Sequence, residues 1–112
     1  MTSTIKISDI IHCTTKSPPD IAKSRLKEGR LPAGAVLNRI QQGQTIEVIV
    51  LKNPPALLCD TSIEINETDI RKRIAYKHSD ITTNSFNNQR LAVGVKFFRD
   101  IQPTDTIYLI LH

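Results

Sequence analysis

"NNQRLAVGVKFFRD", Asn87 to Asp100, decides how the chain is read. It opens on amide side chains and a basic residue, then alternates apolar residues with small or polar ones. Leu91, Val93, Val95 and Phe97 would share one face of an extended chain, so the pattern predicts a strand over "RLAVGVKFF". Nothing in it carries a catalytic signature.

The flanks predict the rest of the order. "TIYLIL" (Thr106 to Leu111) reads as a strand after the turn "IQPTD", and "SDITTNSFNN" reads as a polar loop. "TIEVIVL" (Thr45 to Leu51) is rich in β-branched residues and reads as a strand. Asn53-Pro54-Pro55 breaks it, and "LLCDTSIEI" predicts a second strand joined to it as a hairpin. "NETDIRKRIAYKH" predicts a helix. Asn66 stands at the cap, Glu67 and Asp69 in the first turn, Lys77 and His78 in the last, with Ile70 and Ile74 four apart as the inward stripe. From residue 44 the order is therefore strand, strand, helix, strand, strand. A mixed four-stranded sheet with one helix crossing it is a two-layer α+β solution, the β-grasp topology.

Residues 1–43 read as an N-terminal extension to a domain over residues 44–112. "SPPDIAKSRLKEG" predicts a helix at about 17–28, with Ser17 to cap, Pro18 in the first position and Gly29 as the left-handed stop. Its apolar face, Ile21, Ala22 and Leu26, is thin. Pro32 and Gly43 bracket a second short helix.

Composition excludes several classes. A chain of 112 residues suits one compact domain, and 4% aromatics without Trp leave a core of Ile, Leu and Val. No run of about 18 apolar residues is present, so no membrane span is expected. The N-terminus has no apolar leader, which points to a cytoplasmic or nuclear protein. Cys13 and Cys59 form no CxxC and are expected as reduced thiols. His12, His78 and His112 are scattered, so no metal site, cofactor or catalytic set is expected, and the reading is of a protein that is not an enzyme. The net charge of +4 lies entirely in residues 1–43, where seven basic residues face three acidic ones.

The segment from Asn88 to Asp100 resembles, without a gap, a segment of the ubiquitin-like family, sharing Gln89, Arg90, Leu91, Lys96 and Asp100. The closing stretch "IQPTDTIYLILH" is similar to that family's last strand at Ile101, Gln102, Thr106, Leu109 and Leu111. "TSIEINETDIRKRIAYK" is similar in pattern, with a shorter turn before the helix. The likeness covers about residues 44–112. It implies a β-grasp fold whose closing strand lies parallel beside "TIEVIVL" in the middle of the sheet. About eight family residues are missing between "FFRD" and "IQPT", and the chain stops at His112, before any diglycine tail. The resemblance therefore implies an intracellular interaction domain that is not conjugated. On the open sheet face Ala92 stands at the family's patch isoleucine, Ile110 at its valine and Tyr108 at its histidine, with Val95 replacing the glycine before Lys96. Together with Arg90 these residues would form the partner-binding face.

Three functions follow from this reading. The first is a protein–protein interaction module, an adaptor within a larger intracellular assembly, binding through that face or through residues 1–43. The second is a modifier whose tail lies beyond His112. The third is a basic nucleic-acid-binding adaptor using the N-terminal region and the run Arg71-Lys72-Arg73.

Overall fold

The structure, a computed structural model, describes residues 4–52 and 62–112. Its elements run β1 (Thr4–Ser8), β2 (His12–Lys16), α1 (Lys23–Glu28), β3 (Arg30–Pro32), α2 (Gly34–Leu37) and β4 (Thr45–Leu51). They continue with β5 (Ser62–Asn66), β6 (Ile70–Lys77), α3 (Thr83–Asn88), β7 (Arg90–Ala92), α4 (Val95–Phe98) and β8 (Thr106–Leu111). The second half thus repeats the element order of the first.

The sequence repeats with it. Asp20-Ile21 recurs as Asp80-Ile81, Arg30-Leu31 as Arg90-Leu91, Gly34 as Gly94 and Arg39 as Arg99. One extra residue follows, and Thr45-Ile46 then recurs as Thr106-Ile107. Equivalent strands pair with each other, antiparallel, about equivalent residues: Lys6 opposite Glu64, Leu31 opposite Leu91, Val48 opposite Leu109. This is the self-complementary pairing of a two-fold interface, realised inside one chain. The turns match as well. The Gln44 side chain accepts from the Gln41 N–H at 2.8 Å, and that of Asp105 accepts from the Gln102 N–H at 2.8 Å.

The main sheet has the order β2-β8-β4-β6, antiparallel throughout. Its two central strands are apolar without alternation, the pattern of strands buried on both faces. On one face Ile46, Val48, Val50, Ile107, Leu109 and Leu111 share a buried core with Leu31, Val36, Leu37, Leu91 and Phe97. On the other, Ile49, Leu51, Tyr108 and Ile110 lie under the separate β1–β5 ribbon, whose Ile7, Ile63 and Ile65 complete a second core.

The β-grasp expectation is overturned. No single helix crosses a four-stranded sheet; the molecule is a strand-rich α/β chain with eight strands in three antiparallel sheets and four short helices among the described residues. β4 and β8 are central neighbours as expected, but they run antiparallel. The predicted hairpin does not form, because β4 pairs with β8 and β6 while β5 pairs with β1. The break at residues 53–55 and the start of the predicted second strand at residues 57–61 lie outside the described residues. Strands from residues 4–32 pair with strands from residues 62–111 in all three sheets.

Three local readings fail. The helix predicted over residues 66–78 is a single 3-10 turn, Glu67–Asp69, followed by β6. Its cap is real, since Asn66 Oδ1 accepts from the Thr68 N–H at 3.1 Å. Ile70 and Ile74 do not share a face: the β4–β6 register shifts between Val50 and Leu51, so Ile70 packs on the second core and Ile74 on the first. Tyr76, two residues on, packs with Ile74 against the first core, which only an extended chain allows. The strand predicted over residues 90–98 is cut after Ala92, where Gly94 takes φ +93° and α4 begins. "TNSFNN", read as loop, is α3, capped by Thr82 Oγ1, which accepts from the Ser85 N–H at 3.1 Å. The helix expected at about 17–28 is split: Pro18–Asp20 is a 3-10 turn to which Ser17 gives no side-chain cap, α1 covers Lys23–Glu28, and Gly29 closes it in the left-handed region at φ +69°.

Gly29 locks the two halves together. Its carbonyl accepts from the Gly94 N–H at 2.8 Å, and a Cβ there would sit 2.5 Å from Gly94 C and Val95 N. Gly43 shares a positive φ, +86°, but a Cβ there meets nothing within 4 Å. Gly43→Ala is therefore expected to cost about 1 kcal/mol, from its backbone alone. Gly29→Ala adds a backbone clash and is expected to cost at least about 3 kcal/mol. Urea unfolding of the two variants, with unchanged slopes, checks the ranking.

Candidate functional site

The three-residue strands β3 and β7 pair with Leu31 opposite Leu91, and both leucines point into the first core. Alternation turns their neighbours outward, so Arg30, Pro32, Arg90 and Ala92 share the outer face. Arg30 lies opposite Ala92 and Arg90 opposite Pro32, which makes the two arginines diagonal neighbours on that face. Such a diagonal is within reach of long side chains. Both arginines are half-buried and Ala92 is exposed.

Arg30, Arg90 and Ala92 line a notch of about 60 Å³ together with Thr82, Asn84, Ser85 and Asn88. Asn88 Nδ2 donates to Asn84 Oδ1 at 2.8 Å, and the Thr82 hydroxyl donates to Ser85 Oγ at 3.1 Å. No carboxylate is in the lining. Glu28 is the nearest acid in an ion pair, 3.6 Å from Arg25 Nη1 and 4.0 Å from Arg30 Nε. Arg90 makes no ion pair or side-chain hydrogen bond with any described residue.

Two of the residues expected from the sequence, Arg90 and Ala92, are on this face. Val95 and Lys96 follow on α4, with Val95 52% exposed. Tyr108 and Ile110 are 1% and 0% exposed, sealed beneath the β1–β5 ribbon. The expected patch is split between an outer surface and a core. Sequence reasoning missed Arg30, Asn84 and Asn88. The signal was the recurrence of Arg-Leu at residues 30–31 and 90–91, which marks equivalent positions in paired strands.

The basic run on β6 is engaged elsewhere. Arg71 Nε donates to the buried Asp105 Oδ2 at 2.5 Å, Lys72 Nζ lies 3.5 Å from Asp100, and Arg73 lies 3.3 Å from the buried Glu47. His112 Nε2 approaches the same Glu47 at 3.6 Å. A wider open cleft, about 540 Å³, runs between Gln42–Thr45 and Lys77–Ser79. His78 in its wall leans on the Phe86 ring at 5.4 Å, and no carboxylate lines it to make an acid–base pair. Among the described residues no three His, Cys, Asp or Glu side chains gather as for a metal, and no helix is long and apolar enough to cross a membrane.

Cys13 departs from its expected state. It is disulfide-bonded, not a reduced thiol, and the sequence holds one other cysteine, Cys59, outside the described residues.

Comparison of the chain with protein-family models, with curated proteins and with solved structures gave no match.

Two outcomes follow from this chemistry. Burial pushes the Tyr108 phenol up to about 12 and raises that of Tyr76 from 10.0. The unfolded chain then loses its phenolic protons first, so stability is expected to hold up to about pH 10 and fall as pH rises toward 12. Urea midpoints across that range check the sign, and phenolate absorbance should lag behind that of the denatured chain. Alkylation of the denatured, unreduced protein is expected to leave Cys13 unlabelled in a peptide map, and reductant should expose it.

Proposed function

We propose that this chain is a non-catalytic binding module that holds an acidic partner protein on the outer face of β3, β7 and α4. The observation that carries this reading is a pair of half-buried guanidiniums on one small face, one of them without an acid among the described residues. Like charges placed together and partly removed from water raise the free energy of the unbound chain. A partner carboxylate or phosphate relieves that cost, and charge complementarity of this kind also speeds encounter. Val95 supplies exposed apolar surface beside the charges, and Lys96 extends the basic character. Arginine is among the residues that binding hot spots favour.

Nucleic-acid binding is the weaker reading. It draws on the basic residues of 1–43 and on the run Arg71-Lys72-Arg73, and each side chain of that run is occupied by a carboxylate of the same chain. Fewer free cations remain for phosphate contacts, which carry such binding.

Retention of partner proteins from nuclease-treated extract on immobilised protein tests the proposal. Val95→Asp and Lys96→Glu are expected each to lower retention about tenfold, while Lys52→Glu, away from this face, leaves it unchanged. Equal retention by all variants overturns the surface. Material lost on nuclease treatment, with a steep dependence on salt, would favour the nucleic-acid reading.

A further inference from the structure

We infer that the notch between Arg30 and Arg90 is a specific site for a single tetrahedral oxyanion, a phosphate or sulfate group. This rests on the surface proposed above and names the chemical group at its centre.

The argument is one of unmatched donors. Within the lining, the side-chain acceptors are largely used internally. Asn84 Oδ1 takes a hydrogen bond from Asn88, Thr82 Oγ1 takes one from the Ser85 N–H, and Ser85 Oγ takes one from Thr82. What remains is mostly donors: the Asn84 amide N–H groups, the Ser85 hydroxyl proton, and the guanidinium forks of Arg90 and Arg30. Only Asn88 Oδ1 is a side-chain acceptor left without a partner in the lining. A donor-rich pocket without a carboxylate is complementary to an anion with several acceptor oxygens.

Size and placement agree. A volume of about 60 Å³ holds roughly four or five water-sized spheres, comparable to the five heavy atoms of phosphate or sulfate. Arg30 and Arg90 occupy equivalent positions in the two halves, so the local two-fold brings identical forks to the same point. Arginine presents parallel N–H donors that match an oxyanion edge in a way an ammonium does not. Glu28, at the limit of ion pairing with Arg30, leaves that fork largely available.

The test is a titration of the full chain followed by side-chain and backbone nitrogen NMR. The probes are sodium sulfate and inorganic phosphate, with sodium chloride at matched ionic strength. Saturable shifts are expected at Arg30, Arg90 and Asn84 with millimolar affinity, and chloride should produce none. Arg90→Gln should weaken the site at least about tenfold, and Lys52→Gln less than about twofold. Arg90→Gln relieves a like-charge pair, so its urea midpoint should not fall. If it does fall, Arg90→Lys keeps the charge and loses only the fork, and is again expected to bind at least about fivefold more weakly. Phosphoserine distinguishes the sources: affinity matching that of inorganic phosphate assigns a monoester on a partner, and much weaker affinity assigns the free ion. Shifts that never saturate, that chloride reproduces, or that survive in both Arg90 variants overturn the site. Failure here with Val95→Asp still releasing partner proteins removes only the notch. Saturation here with retention unaffected by Val95→Asp removes only the protein-binding surface.

Discussion

The antiparallel pairing of β4 with β8, centred on Val48 opposite Leu109, is the constraint on which the rest of the structure depends. Both strands are buried on both faces, so each needs two separate covers. The first is made by β3, β7 and the short helices of the two halves, the second by the β1–β5 ribbon. Among the described residues no helix exceeds six residues. Helices that short have no independent stability and exist because their apolar residues pack on this pair of strands.

The two-fold relation between the halves gives the surface its character. Pairing equivalent strands places equivalent side chains next to each other, so whatever one half exposes near the axis appears twice. For Leu31 and Leu91 the result is a core contact. For Arg30 and Arg90 it is a concentration of positive charge, which sequence position alone, with sixty residues between them, does not suggest. The same geometry demands close backbone approach where Gly29 meets Gly94.

Part of the fold was legible in the residues. β4 and β8 were read with their observed bounds, because β-branched runs without alternation have one economical use in a small domain. The cap at Asn66, the left-handed stop at Gly29 and the helical turn near Pro18 were legible too, since each depends on a local backbone preference. The β6 strand was not, because the residues before it carry the cap and acidic first turn of a helix, and these end here after one 3-10 turn. The segment over residues 90–98 was not, because its alternating pattern concealed a glycine with positive φ. Of the residues lining the notch, Arg90 and Ala92 were named from the sequence, though by way of a strand that is really the end of one strand and the start of a helix.

By itself, then, the sequence determined the two central strands, the principal caps and a core of aliphatic residues, all consequences of local preference and hydrophobic content. Tertiary structure decided strand direction, the partner of every strand, and which apolar residues were outside. Those depend on how two similar halves meet, and the free energy of that meeting comes from contacts between residues far apart in the chain. Tyr108 and Ile110 illustrate the division. The family resemblance would put them on an open sheet face, and the arrival of β1 and β5 makes them core.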